Sequence, residues 1–250
     1  MSTALVRPPG PRLAEGIVTY IDRRPVDGEL AARQHEVYVS ALAAAGRRIR
    51  ALPASGAQPD AVFVEDTVVV CDGLAVLTRP GAPQRRAEVI AAEKAVRELG
   101  LEVARIEAPG TLDGGDVLQV GDTVYVGRSG RTNEEAFCQM ARLFGALGRH
   151  VVSVPVTGCL HLKSAMTALP DGTLIGLPER VDTAVLPGLL VAPEPSGAHV
   201  LVLSENEVLL AASALRTAEH LSAEGYAVTT VDISEFEALE AGVTCLSVLI

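Results

Sequence analysis

The sequence predicts an α/β propeller, a ring of about five strand–strand–helix–strand modules, and three observations carry that expectation. A tight-turn cue between two short apolar runs recurs four times along the chain. Helical patterns that stop at a glycine, each followed by an apolar strand, recur with it. A module of about 40–55 residues cannot bury its own apolar faces and must pack against copies of itself, and 250 residues hold about five such units. A closed ring turns the same end of every module toward one axis, where their polar loops converge, so the ring is favoured over an open solenoid.

In chain order, residues 30–45 read as a helix ending at Gly46, and 49–52 as the strand behind it. Residues 68–79 form the first hairpin around Asp72-Gly73, a strong short-range hairpin signal. A helix over 87–99 then stops at Gly100, and 101–106 is a strand. The second hairpin, 117–127, turns at Gly121-Asp122; a helix over 133–147, with Thr132 as its cap, stops at Gly148 before a strand over 151–156. The third hairpin, 167–176, turns at Pro170-Asp171-Gly172 and leads into no helical pattern. The fourth, 200–210, precedes a helix over 217–223 that stops at Gly225 and a strand over 227–231. Each terminal glycine suits the left-handed position that ends a helix. No linker or low-complexity stretch divides the modules, so residues 1–250 are expected to form a single α/β propeller domain.

Composition narrows the function. Nearly half of the residues are hydrophobic, which excludes disorder. No apolar run reaches the roughly 18 residues of a membrane span, and the first 16 residues lack a signal-peptide core, so a cytoplasmic chain with no membrane partner is expected. The net charge of −10 argues against a nucleic-acid partner and suits a carboxylate-lined site for a small cation. The four cysteines, Cys71, Cys138, Cys159 and Cys245, form no close pair, so neither a zinc site nor a disulfide framework is expected. No HExxH, EF-hand or phosphate-loop spacing is present, so no metal and no cofactor is expected either. A homo-oligomer is compatible with the chain.

Four stretches hold the chemistry. Cys245, six residues from the C-terminus, reads as a thiol ending a hydrophobic strand, which alone is one more buried cysteine. His161 alternates with Leu160 and Leu162, on the opposite face from them if the segment is a strand. Asp113 and Asp116 flank Gly114-Gly115, whose backbone freedom lets carboxylates be presented at a cleft. Asp60, Glu65 and Asp66 cluster after Pro59; in a straight strand Asp60 lies roughly 20 Å from Asp66, so they share a ligand only if the chain bends. Arg85, Arg86 and Arg131 follow the hairpins of successive modules, at related positions in a ring, where two guanidinium groups can clamp a carboxylate. Thiol, imidazole and carboxylates together are the parts needed for covalent attack on a cationic carbon.

Phe63-Val64-Glu65-Asp66, Arg79-Pro80-Gly81, the run from Glu107 to Val117, Arg131-Thr132-Asn133, Leu160-His161-Leu162-Lys163-Ser164 and Thr244-Cys245-Leu246-Ser247 occur in this order across nearly the whole chain. In this the chain resembles the dimethylarginine dimethylaminohydrolases, of the guanidino-modifying superfamily that also holds arginine deiminases and amidinotransferases. The resemblance implies a five-bladed α/β propeller of the pentein type with a central active site. It implies hydrolysis of Nω-methylated L-arginine to L-citrulline and a methylamine, with Cys245 as nucleophile, His161 as acid then base, and Asp113 orienting His161 or holding the guanidinium. It places Glu65 and Asp66, beside Phe63, on the guanidinium; Asp60 with main-chain oxygens near Leu13 and Leu239 on the substrate ammonium; and Arg85 and Arg131 on its carboxylate. Where the family has glutamate in some bacterial relatives, this chain has Asp113. Among so many carboxylates the resting thiol is expected to be protonated, and the bound guanidinium to lower its pKa. Two rivals remain at this point. An arginine deiminase-like hydrolase would act on another guanidine, although the chain lacks room for those enzymes' helical insertion. A non-catalytic propeller would need neither the thiol nor the imidazole.

Overall fold

The computed structural model describes residues 2–250. Five three-stranded sheets share one plan: an inner strand pairs antiparallel with a middle strand, which pairs parallel with an outer one. The first sheet contains β1 (Thr3–Val6) and, after α1 (Gly28–Ala44), β2 (Arg48–Ala51). The second is β3 (Val68–Cys71), β4 (Leu74–Leu77), α2 (Val89–Glu98) and β5 (Glu102–Arg105). The third is β6 (Val117–Val120), β7 (Thr123–Arg128), α3 (Glu134–Gly145) and β8 (His150–Pro155). The fourth is β9 (Met166–Ala168), β10 (Leu174–Gly176) and β11 (Leu190–Val191). The fifth is β12 (Leu201–Val202), β13 (Glu207–Ala211), α4 (Leu215–Ala223) and β14 (Ala227–Val231). A short helix α5 (Ser234–Glu237) then leads to β15 (Ser247–Leu249), which is the inner strand of the first sheet.

The middle strands β1, β4 and β10 are largely apolar because both of their faces are buried, as in a parallel α/β sheet, whereas outer strands such as β2 and β5 carry exposed charged residues. Alternate residues serve alternate neighbours. Leu5 packs with Val68, Leu77 and Val248 between the first and second sheets, while Ala4 and Val6 pack with Leu209 and Val231 between the first and fifth. Val69 and Val76 meet Val117 and Val126 between the second and third sheets, under Met140 and Phe144 of α3. Leu118 and Tyr125 meet Met166 and Leu174, and Ile175 meets Val208 and Leu210. Five cores join five sheets in a cycle, which is the closed ring the module count favours. The glycines read as helix stops do adopt positive φ: 80° at Gly46, 78° at Gly100, 77° at Gly148 and 97° at Gly225.

As the sequence leads one to expect after the 167–176 hairpin, the fourth module has no α-helix: between β10 and β11 lie two single 3₁₀ turns, Pro178–Arg180 and Thr183–Val185, because Pro178, Pro187 and Gly188 interrupt any helical run. Two expectations are corrected. Thr132 does not cap α3. Asn133 does so, accepting the Ala136 amide at 3.1 Å, and the Thr132 hydroxyl instead bonds Asp116. Cys245 does not end a strand: it sits in the 3₁₀ turn Val243–Leu246 immediately before β15.

That last turn belongs to a pattern. Each inner strand is entered through a 3₁₀ turn: Val64–Thr67, Gly114–Asp116, Leu162–Ser164, Pro195–Ala198 and Val243–Leu246. Turns of this kind break the strand's alternation at one end of the ring, and four of them, with the residues just before them, carry the polar side chains of the axis: Glu65 and Asp66, Asp113 and Asp116, His161 and Lys163, and Cys245.

Candidate active site

The bend at 60–67 resolves the carboxylate spacing. The Phe63 amide donates to the Asp60 carbonyl at 3.0 Å and the Asp66 amide to the Phe63 carbonyl at 3.3 Å, so the segment is a run of turns and all three acids lie near the axis. A narrow cavity there is lined by Ile17, Asp60, Phe63, Asp66, Arg85, Arg131, Leu160, His161, Leu239 and Cys245. Its free volume is about 20 Å³, space for about one water molecule and too small for an arginine-sized ligand as it stands.

His161 is the hub of the charge network. Its Nε2 lies 2.9 Å from Asp113 Oδ2, and its Nδ1 faces Asp66 Oδ1 at 3.8 Å. Burial opposes a charge on the ring, but Asp66, the Asp113 hydrogen bond and Asp116 outweigh it, raising the pKa to about 9. His161 is therefore an imidazolium at neutral pH. Asp113 is fixed in turn: Oδ1 accepts the Gly81 amide at 2.9 Å, and Arg131 Nη1 stands 3.4 Å from Oδ2. Asp66 is buried, and desolvation alone would raise its pKa. His161, Arg85 (2.5 Å) and the Gly115 amide (2.9 Å) prevail and bring it to about 2.

Arg85 is fully occupied. Besides Asp66 it donates to Glu88 at 2.8 and 3.0 Å and to the carbonyls of Asp60 and Phe63 at 3.2 and 3.1 Å. Among the described residues the Arg131 guanidinium contacts only Asp113. Glu65 does not line this cavity but a separate one, with Lys163 and Thr244; its Oε1 binds Lys163 Nζ at 2.6 Å, and among the described residues its buried Oε2 has no partner. Leu13 is off the cavity wall. It packs in the core between the first and fifth sheets, its carbonyl accepts the Gly16 amide at 2.9 Å, and Ile17 takes its place at the cavity.

The thiol of Cys245 accepts the Gly242 amide at 3.5 Å. Burial, then Glu65 and Asp66, push its pKa well above the ordinary value, beyond what the Gly242 hydrogen bond and Lys163 offset. The resting site therefore holds a thiol, as expected, next to an imidazolium. Gly242 is packed against the His199 ring, and a Cβ there would lie 2.1 Å from His199 Nδ1. Gly242→Ala is therefore expected to displace the turn that holds Sγ and lower kcat by about 10- to 100-fold, since roughly 1 Å of misplacement costs that much. Steady-state kinetics of the folded variant checks this, and the additional change His199→Ala should recover part of the loss.

The nearest donor atoms of Asp66, Asp113 and His161 lie within 4.8 Å of one another, a set that could hold a metal ion. A metal-bound histidine must be neutral, however, whereas both nitrogens of His161 face carboxylates that keep it protonated. The donor chemistry favours the imidazolium.

The sequence assigns several contributors no role of their own. Asp116 is buried and ties three segments of the site together, accepting from the Leu162 amide at 2.8 Å and from the Ser129 and Thr132 hydroxyls at 2.6 Å each. Lys163, Ile17 and Gly242 join the site only through the fold. Cys159, two residues before His161, contacts that residue's carbonyl at 3.5 Å and opens into a neighbouring cavity, not this one.

Five blades around a half-buried thiol and a buried imidazolium and carboxylates define the guanidino-modifying α/β propellers, the pentein class. Within that class the chain belongs to the dimethylarginine dimethylaminohydrolase family. It is 53% identical, over 98% of its length and 95% of the relative's, to the N(G),N(G)-dimethylarginine dimethylaminohydrolase of Streptomyces coelicolor. It is 35% identical to that of Pseudomonas aeruginosa over 97% of each chain. A crystal structure of a cysteine-to-serine variant of the Pseudomonas aeruginosa protein, complexed with citrulline, superposes with a TM-score of 0.92 at 33% identity, over 99% of this chain and 98% of that one. No family model matches the chain.

Proposed function

We propose that the protein hydrolyses Nω-methylated L-arginine to L-citrulline and dimethylamine or methylamine. The observation that carries this reading is the shared cavity of Cys245 and a carboxylate-backed His161 in a chain so similar to dimethylarginine dimethylaminohydrolases. The substrate guanidinium would lie against Asp66 and the unpartnered Oε2 of Glu65, with Phe63 beside it. Asp60 and the Leu239 carbonyl would receive its ammonium. Arg131, the freer cation, would take its carboxylate first, with Arg85 joining by exchanging a contact.

The bound cation offsets the carboxylate field that keeps Cys245 protonated, so the thiol ionises and its proton leaves to solvent. The thiolate adds to the guanidinium carbon, His161 gives its proton to the departing methylamine, and a covalent thiouronium remains. The now neutral His161 takes a proton from water, the hydroxide adds to the same carbon, and the C–S bond breaks to give citrulline and restore the thiol. Asp113 holds Nε2 throughout, an orienting role supported by the 2.9 Å contact.

The imidazolium sets a pH signature. His161, raised to about 9 by its carboxylates, is charged below that pH and loses its acid function as pH rises through it. Asp113→Asn removes one of the groups that raise it, so the alkaline limb of the pH–rate profile should move down toward the ordinary histidine value near 6.5, and kcat should fall by about 10²-fold. A profile measured across pH 6–10 checks both changes; an unmoved alkaline limb would remove His161 from the acid role.

The reading also makes the five modules one cooperative domain and the enzyme cytoplasmic, acting on a small cation without nucleic-acid or membrane partners. No helix among the described residues is long and apolar enough to cross a membrane. Assaying citrulline from asymmetric dimethylarginine, monomethylarginine and arginine separately, without added metal, tests the function. Citrulline from the methylated substrates with little from arginine is expected. Turnover of arginine alone would move the chain to a deiminase reading.

A further inference from the structure

Ile17 lines the cavity, and the chain that follows it to residue 26 runs along the neighbouring cavity, which Tyr20, Ile21 and Arg24 line. Val18 and Val26 are partly buried against the core, and residues 19–25 between them are exposed. No backbone–backbone hydrogen bond involves residues 17–26. Six hydrogen bonds to groups beyond the segment fasten it: Ile17 N–H to Asp60 at 2.8 Å, the Thr19, Tyr20 and Ile21 amides to Glu240, and the Arg23 guanidinium to the Ala14 and Gly16 carbonyls at 3.0 and 2.6 Å. One carboxylate thus supplies three of the six, and all three that hold residues 19–21.

The backbone of Glu240 points the same way. The Ala241 amide donates to the Phe236 carbonyl at 3.1 Å and the Glu240 amide to Glu237 at 3.1 Å, which is the Schellman arrangement closing α5. Glu240 occupies its left-handed position at φ 64°, where glycine is the default. Every other helix stop of this kind in the ring is a glycine: Gly46, Gly100, Gly148 and Gly225. A side chain kept where it strains the backbone has a task, and this one reaches the segment that follows Ile17. It also stands between Leu239, on the cavity wall, and Gly242, which donates to Cys245. The adjoining cavity, lined by Tyr20, Ile21 and Glu240, leaves the clasp open to water, so it can be released and remade.

We propose that Glu240 is a positioning residue that clasps the 19–21 backbone and so seats Ile17 and Asp60 over the bound substrate. Its effect on substrate capture rests on the function proposed above; its effect on the segment does not. Arg23–Arg24 is the trypsin-sensitive bond of the segment, since Pro25 protects the bond after Arg24. Glu240→Gly suits the positive φ, so it removes the carboxylate without adding strain.

The test measures trypsin cleavage after Arg23 by mass spectrometry in the full-length protein, with KM for asymmetric dimethylarginine and thermal midpoint alongside. Glu240→Gly should be cut about tenfold faster or more and show a KM several-fold higher, with an unchanged or higher midpoint. Glu240→Gln, whose amide oxygen still accepts hydrogen bonds, should fall between it and the parent. Unchanged cleavage in Glu240→Gly would overturn the clasp. Faster cleavage with unchanged KM would overturn its part in substrate capture. If the parent turns over no methylarginine, the function fails and the cleavage comparison still decides the clasp.

Discussion

Cys245→Ser should lower citrulline formation by about 10⁴-fold or more while substrate still binds. A hydroxyl is a far weaker nucleophile than the thiolate, and the site holds no neutral base to activate it, because His161 is protonated up to about 9. The groups proposed to bind substrate lie on other segments: Asp60, Glu65 and Asp66 before β3, and Arg131 after β7. Removing the sulfur leaves them in place. Isothermal titration with asymmetric dimethylarginine, beside a citrulline assay, separates the two effects. Normal turnover by the serine variant would end the nucleophile assignment. Cys71→Ser and Cys138→Ser should turn over normally, since Cys71 is in β3 and Cys138 is on the exposed side of α3.

Asp66→Ala should damage binding and stability together. Asp66 meets Arg85 at 2.5 Å, Gly115 N–H at 2.9 Å and the His161 ring at 3.8 Å, all buried. Without it, Arg85 keeps Glu88 but loses half of its charge compensation, and breaking a buried pair costs about 3–5 kcal/mol. At roughly 2–4 °C per kcal/mol for a chain of this size, the thermal midpoint should fall by about 10 °C. KM should rise by roughly 10- to 100-fold through loss of a charge-assisted guanidinium contact. Asp66→Asn keeps an acceptor for Gly115 while dropping the charge, so it should recover stability more than binding. Equal stability in Asp66→Ala and the parent would contradict the network described here.

The repeat was legible because it is local: Asp72-Gly73 and the helix-ending glycines announce themselves within a few residues. Ring closure was legible from the module count, but not which strands close it. The partner of β1 lies at the far end of the chain, Ala4 opposite Leu249, and no turn joins them. The 3₁₀ turn around Cys245 looks like strand in sequence because Val243 and Leu246 are apolar for a different reason, both packing in the core between the first and fifth sheets. The charge network escaped for the same reason. Asp66 to His161, Glu65 to Lys163 and Glu240 to Tyr20 each span nearly a hundred residues or more, and only the axis of the ring brings them together.

The most direct measurement is an acid quench of the enzyme during turnover of asymmetric dimethylarginine, followed by mass analysis of the peptide that carries Cys245. The account predicts a covalent thiouronium on Cys245 that has lost dimethylamine, absent from Cys245→Ser. Turnover with Cys245 unmodified at every quench time, or the adduct on Cys159, would contradict it.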